Sequence, residues 1–115
     1  MIINIENLRL RTTVGIYEWE QNVKQDIVIN IEIEFDGTQA IEKDAIEHTV
    51  DYKTITKKII ALVEDTKYYL IERISGDVVK LIMEDEKVQR ASVKVDKPGA
   101  LRFTDSVSVT STETR

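Results

Sequence analysis

The sequence has 115 residues and a formal net charge of −5, a length typical of one domain that spans residues 1–115. Its 42% hydrophobic and 32% charged residues predict a globular chain, and the acidic balance argues against a general binder of nucleic acid or anionic membrane. With no cysteine and one histidine, His48, the chain has no thiolate ligands and no multi-histidine metal site, so we expect no metal.

The chain begins with an alternating segment that predicts a β-strand. Ile3 and Ile5 share one face, but Leu8 and Leu10 share the other. A β-bulge near Glu6-Asn7 would restore the core face after this slip of one residue. The segment lacks a basic start followed by a long apolar run, and no apolar stretch nears the roughly 20 residues that span a bilayer, so we expect a cytoplasmic protein.

The strongest strand signal runs from Gln25 to Phe35, where apolar and mostly polar residues alternate. One face packs on a core and the other meets water or a wet cavity. The connection before it, Thr13–Lys24, is too long for a tight hairpin and is a candidate functional loop. The apolar face comprises Ile27, Ile29, Ile31, Ile33 and Phe35.

Two helical patterns and two further strands follow. The Asp65–Tyr68 stretch separates the helices and predicts an antiparallel pair. The order strand, strand, helix, helix, strand, strand predicts an α+β fold, with a four-stranded antiparallel sheet and both helices on its apolar face. The residues that carry these patterns are Ile55, Ile59, Leu62 and Val63, then Ile71, Ile74, Val78, Leu81 and Ile82, then Ala91, Val93 and Val95, and finally Val107 and Val109.

Lys97 breaks the apolar pattern of its strand. It has the parity of the core-facing Val93 and Val95, but its side chain is charged. Pro98 favours extended geometry at Lys97 and removes the next backbone donor, so we expect the strand to end there with the ammonium at the rim of the core. Partial desolvation at such a place suits a general acid–base lysine. A lysine whose ammonium simply reaches out to water at a strand end is the alternative.

Seven further charged or aromatic residues each have an ordinary structural interpretation beside a functional one. Glu18 and Glu20 lie in the long loop, where carboxylates are usually solvated, and Glu72 lies beside the apolar stripe of its helix. Tyr52 precedes the first helix, as an aromatic packed on that helix would. Three arginines are candidates for holding a phosphate chain, and ordinary surface arginines are the alternative. They are Arg9, Arg11 and Arg102.

Several stretches, in this order and spacing, resemble the dihydroneopterin aldolase and epimerase family over essentially the whole chain. They are LRLRTTVGI, KQDIVINI, TVDYKTI, LIERI and VKVDKP. The resemblance implies the tunnelling fold, in which such units join edge to edge into a barrel around a wet channel. It also implies a homo-oligomer, a tetramer ring or an octamer, with active sites at subunit interfaces.

The resemblance also implies roles for individual residues. Lys97 is similar to the family's general acid–base lysine, and Glu20 to its loop glutamate near the reacting side chain. Tyr52 is similar to the tyrosine that stacks on or protonates the pterin from the neighbouring subunit. Glu72 is similar to the carboxylate that anchors the pterin, and other substrate-binding positions are Ile71, Val50 and Asp51. The pterin's own imine accepts the electrons of the cleaved bond, so no cofactor is implied.

Two reactions share this chemistry within the family. Aldolases cleave dihydroneopterin in folate synthesis and release glycolaldehyde, whereas epimerases invert the second side-chain carbon of dihydroneopterin triphosphate. The stretch DKPGALRFTDSVSVT is closer to the epimerases, since aldolases carry a glycine-containing version of its end. A non-catalytic ligand-sensing or assembly module is the alternative of another class, and it predicts that Lys97 is dispensable.

Overall fold

The five strands of the structure, a computed structural model that describes all 115 residues, form one sheet with the order β3-β1-β2-β4-β5. Two short 3₁₀ helices, Glu18–Asn22 and Ile46–His48, lie in the connections. The elements are β1 (Ile2–Val14), β2 (Gln25–Phe35), α1 (Thr38–Lys43), α2 (Tyr52–Asp65), β3 (Lys67–Tyr68), α3 (Ile71–Met83), β4 (Val88–Pro98) and β5 (Ser106–Thr114).

The predicted α+β class is confirmed, but the prediction of four antiparallel strands was wrong by one strand. The link between α2 and α3 contains β3, which pairs parallel with β1 through Thr13 with Lys67 and Val14 with Tyr68. The short helix α1 was also not predicted. Both are too short to display a hydrophobic period, because two residues carry no alternation and six carry less than two helical turns.

The predicted β-bulge is present in β1. Its pairing with β2 shifts between Ile5 and Leu8, and Asn7 adopts a positive φ of 53°. The Asn7 N–H donates to Asn30 Oδ1 at 2.9 Å, which ties the bulge to β2. The extra residue lets Ile3 and Ile5 pack against the same core as Leu10 despite their opposite parity.

The two faces of the sheet differ as the alternation in β2 predicted. Its odd positions from Ile27 to Phe35 are at most 2% exposed and join a core of 21 buried residues. Helices α2 and α3 cover this face and bury Ile55, Ile59, Ile74 and Val78 against it. The opposite face is polar, and it includes a cavity of about 400 Å³ lined by Asn30, Glu32, Lys94 and other residues. No helix is long and apolar enough to cross a membrane.

A buried threonine fixes the end of α2 against β1. Thr12 is fully buried, and its hydroxyl donates to the carbonyl of Val63 at 2.6 Å and lies 3.3 Å from that of Thr66. The last carbonyls of a helix have no partner within the helix, so this hydroxyl satisfies a group that would otherwise be buried without one. Since Thr12 pairs with Gln25, α2 ends where β1 ends and β2 begins.

Replacing Thr12 with valine should lower the free energy of unfolding by about 1–3 kcal/mol, because a buried carbonyl loses its donor while the shape of the side chain is kept. Urea unfolding followed by circular dichroism measures the change. Thr104→Val is the matched control, since the Thr104 hydroxyl donates only to Leu101 O in an exposed loop. Equal stability of the two variants would contradict the role given to Thr12.

Candidate active site

A buried ion pair joins the long loop to the end of β4. Lys97 Nζ donates to Glu20 Oε2 at 2.7 Å. The side chains of Lys97 and Glu20 are 16% and 6% exposed, whereas the other four ion pairs of the chain each contain at least one side chain that is more than 40% exposed. A desolvated, hydrogen-bonded lysine–carboxylate pair at the rim of a core is an arrangement suited to proton transfer.

The strand geometry explains how Lys97 reaches this position. Val93 and Val95 are fully buried on the helix-covered face, and Lys97 follows them with the same parity, beyond the last buried residue. The strand continues one residue further than predicted, since Lys97 pairs with Val107 and Pro98 with Ser106. The ammonium is not free at the strand end. It is held instead by the carboxylate of the loop.

From its position alone Glu20 had the ordinary interpretation of a solvated loop carboxylate, whereas the family resemblance placed it near the reacting side chain. It is only 5% exposed. Its Oε2 also accepts from Gln25 Nε2 at 2.9 Å, and its Oε1 from the Tyr17 N–H at 3.3 Å. The hydrogen bond from Lys97 is the main reason that the pKa of Glu20 lies below its usual value, and those from Gln25 and Tyr17 add to it against the opposing effect of burial. Glu18, by contrast, is exposed.

Gly15 makes room for this carboxylate. Its φ is 141°, a conformation that side chains rarely adopt, and a Cβ added there would collide with the carboxylate of Glu20. Glycine is therefore required at this position both by the backbone and by the space that Glu20 occupies.

The same loop is tied to the start of α3. The N–H of Gly15 donates to Tyr68 O at 3.1 Å. Gln21 Nε2 bridges Gly15 O and Tyr68 O, at 2.7 and 2.9 Å. Because α3 begins three residues after Tyr68, these bonds bring its first turn to the end of the sheet that carries Lys97. Ile71 is buried there, while the Glu72 side chain is exposed.

The candidate residues around Tyr52 lie elsewhere in the subunit. Tyr52 is the first residue of α2, and α2 ends near Thr12, at the Lys97 end of the sheet. At about 1.5 Å per residue, Tyr52 lies about 20 Å from that end along the helix. Its side chain is 57% exposed and is therefore not the aromatic packed on α2 that its position suggested. Val50 is fully buried, and Asp51 caps the helix by accepting from the Thr54 N–H.

Two of the three arginines line one cleft. Arg9 and Arg11 line a cleft of about 320 Å³ with Pro98. Arg11 forms an ion pair with Asp26 at 3.2 Å. The guanidinium of Arg102 lies 5.4 Å from the ring centroid of Phe103, in the exposed loop between β4 and β5. Arg9 and Arg11 thus share a surface, whereas Arg102 does not line that cleft.

Sequence reasoning missed Gln25, which holds Glu20 in place. A signal was present, because Gln25 has the parity of Ile27 and Ile29 and is therefore a polar residue on the core-facing side, as Lys97 is. Gln25 also donates to Val14 O at 2.8 Å. The roles of Gly15 and Gln21 depend on contacts with Tyr68, far along the chain, and had no comparable signal.

The lowered pKa of Glu20 has a consequence for stability. In the unfolded chain a glutamate titrates near about 4.3, and the folded pKa is lower, so the carboxylate stabilises the fold above the unfolded value. That contribution is lost as the pH falls from about 4.3 through the folded pKa. Urea unfolding between pH 7 and pH 3 should therefore show a steeper loss for the unaltered protein than for Glu20→Gln.

The comparison with Glu20→Gln removes the contribution of the other carboxyl groups. Asp36 and Asp51 also have lowered pKa values, caused by hydrogen bonds from Thr38 and Thr54, but both are present in the two proteins. Parallel pH profiles would contradict the stabilising role of the Glu20 carboxylate.

Comparison with known proteins gives one family. The family model described as dihydroneopterin aldolase matches residues 3–112. The dihydroneopterin triphosphate 2′-epimerase of Pseudomonas aeruginosa is 47% identical over 108 residues, which cover 94% of this chain and 88% of that protein. The dihydroneopterin aldolase of Escherichia coli is 32% identical over 108 residues, with the same coverage.

The fold agrees with these sequence matches. The solved structure of Escherichia coli dihydroneopterin aldolase in complex with neopterin superposes with a TM-score of 0.93 at 30% sequence identity. The match covers 98% of each chain.

Proposed function

The chain belongs to the dihydroneopterin aldolase family, and we propose that within it the protein epimerises dihydroneopterin triphosphate at the second side-chain carbon. The difference in identity carries this proposal. The chain is 47% identical to an epimerase and 32% identical to an aldolase over equal lengths. The epimerase likeness of the stretch after Lys97 supports the same assignment.

The reaction is a retro-aldol cleavage followed by an aldol addition. A base removes the proton from the hydroxyl on the second side-chain carbon, and the bond between the first and second carbons breaks. The bonding electrons move into the imine of the dihydropterin ring, and the second carbon becomes an aldehyde. The aldehyde turns over in the site, the bond re-forms on its other face, and the new alkoxide takes a proton. No net oxidation occurs.

Lys97 and Glu20 are the proposed acid–base pair. The ammonium donates to Glu20 Oε2 at 2.7 Å, and the amide of Gln25 and the N–H of Tyr17 hold the same carboxylate. The carboxylate is thereby kept ionised and fixed in direction, and it orients Lys97 in turn. An acid–base group held in this way contributes to rate through both proton transfer and position.

Substrate binding is proposed to use two subunits. Glu72 and the backbone of Ile71 lie at the start of α3, on the end of the sheet that carries Lys97, and would hold the pterin ring. Tyr52 lies about 20 Å away along α2, too far to meet the same substrate, so the tyrosine that completes the site would come from a neighbouring subunit. Val50 and Asp51 would approach with it. A homo-oligomer is therefore part of the proposal, and a cytoplasmic location stays a prediction.

The substrate preference tests the assignment. Purified protein is given dihydroneopterin and dihydroneopterin triphosphate in separate reactions, and kcat/KM is measured for each. We expect a higher value for the triphosphate. Faster turnover of dihydroneopterin with release of glycolaldehyde would support the folate-pathway aldolase instead. Turnover of neither substrate would support a non-catalytic module.

A further inference from the structure

A cleft on the polar face of the sheet lies beside the candidate active site. Arg9 and Arg11 stand on β1 directly opposite Val28 and Asp26 of β2, and Pro98 closes the cleft from β4. Two arginines of one strand thus line a cleft of about 320 Å³. One guanidinium group can donate two parallel hydrogen bonds to the oxygens of a phosphate. This surface therefore has the chemistry to hold a phosphate chain.

The cleft and the ion pair share one end of the sheet. Pro98 follows Lys97, and Asp26 follows Gln25, whose side chain binds Glu20. Adjacent residues of a strand point to opposite faces, so the cleft lies across the sheet end from the ion pair. In the triphosphate substrate the phosphates are attached to the oxygen of the third side-chain carbon, which is bonded to the carbon that is inverted. The triphosphate group can therefore extend across the end of the sheet into the cleft while the inverted carbon lies beside Lys97.

The two arginines of the cleft differ in their partners. Arg9 forms no ion pair. Arg11 Nε lies 3.2 Å from Asp26 Oδ1, and Arg11 Nη2 donates to Lys24 O at 3.1 Å. The side chains of Arg11 and Asp26 are 66% and 76% exposed, and such exposed pairs are weak enough to exchange partners. Asp96, another carboxylate of this face, accepts a hydrogen bond from Ser106.

We propose that Asp26 is a specificity-determining residue, which limits affinity for the phosphate chain by competing with it for Arg11. This inference rests on the proposed function, because it concerns the triphosphate of the same substrate. Arg9 supplies a cation that is ready to bind, and Arg11 adds a second when a phosphate displaces the Asp26 carboxylate. Asp26 thus lowers the affinity for phosphate without touching the reacting carbon.

The test is the ratio of kcat/KM for the triphosphate to that for dihydroneopterin. In Asp26→Asn the ratio should rise about threefold to tenfold at low salt, and the gain should shrink at high salt because exposed charges are screened. The double variant Asp26→Asn/Arg11→Ala should lose the gain. Asp77→Asn is the matched control, since it removes the carboxylate of another Arg–Asp pair, with Arg73 on α3, and should leave the ratio unchanged.

Three outcomes would overturn the proposal. The first is an unchanged ratio in Asp26→Asn, the second a gain that survives the loss of Arg11, and the third an equal gain in Asp77→Asn. Calorimetric titration with inorganic tripolyphosphate separates this proposal from the proposed function. Tighter binding to Asp26→Asn than to the unaltered protein would support the cleft even if neither pterin were turned over, and equal binding would count against it.

Discussion

Replacing Lys97 with alanine is expected to lower kcat by about 10²- to 10⁴-fold, the usual contribution of a positioned acid–base group. Binding of neopterin should change little, because in the proposed site the ring is held elsewhere, by Glu72 and the start of α3. The free energy of unfolding should also fall by about 1–3 kcal/mol, since the buried Glu20 carboxylate loses its ammonium partner. Single-turnover kinetics and fluorescence titration with neopterin measure the rate and the binding separately.

Lys94→Ala is the matched control for this variant. Lys94 stands on the same strand, but it is exposed on the polar face and forms no ion pair. It should keep its turnover. A parallel fall of binding and rate in Lys97→Ala would make Lys97 a binding residue, and unchanged turnover would favour the non-catalytic module. Glu20→Ala/Lys97→Ala, which leaves no unpaired charge, shows whether a loss of rate reflects instability alone.

Mixing two inactive variants is expected to restore activity. Lys97→Ala and Tyr52→Ala each lack one residue of the proposed site. The fold places Tyr52 at the start of α2, whereas Lys97, on β4, lies at the end of the sheet where α2 ends. We assume that each site takes Lys97 from one subunit and Tyr52 from its neighbour, as in a closed symmetric ring. When an equal mixture reassembles at random after mild denaturation, each of these residues is intact in half of the sites, so about one quarter of the sites contain both. Activity should recover to about a quarter of that of the unaltered protein.

The control for this experiment is a mixture that cannot regenerate a complete site. Lys97→Ala combined with the double variant Lys97→Ala/Tyr52→Ala contains no Lys97 at all and should stay inactive. If the first mixture also stayed inactive while the oligomers exchanged subunits, both residues would be needed from one subunit. That result would contradict the shared site.

Sequence reasoning succeeded where the signal is local. The alternation in β2, the slip near Asn7 and the two helical patterns each follow from the side chains of a single segment, and all appear in the structure. Lys97 could be identified for the same reason, because a charged residue at a core-facing position of a strand departs from the apolar residues at the neighbouring core-facing positions. Gln25 had the same kind of signal at the start of β2.

Features that depend on distant contacts were not predictable in this way. The parallel pairing of β3 with β1 involves two residues, and the loop that buries Glu20 is held by bonds from Gly15 and Gln21 to Tyr68. The sequence of Thr13–Lys24 has no periodic pattern from which these hydrogen bonds could be predicted. Without the family resemblance, Glu20 therefore had the ordinary interpretation of a solvated loop carboxylate, although it is among the most buried charged groups of the chain.

The fate of the second side-chain carbon tests the central claim most directly. Dihydroneopterin triphosphate is incubated with the purified protein, the reaction is quenched at early times, and the pterins are oxidised and separated on a column that resolves the two epimers. We predict that the 2′-epimer forms first and remains the main product, with little 6-hydroxymethyl-dihydropterin. Predominant formation of the hydroxymethyl pterin would show that the aldehyde escapes before it re-adds, and would contradict the account.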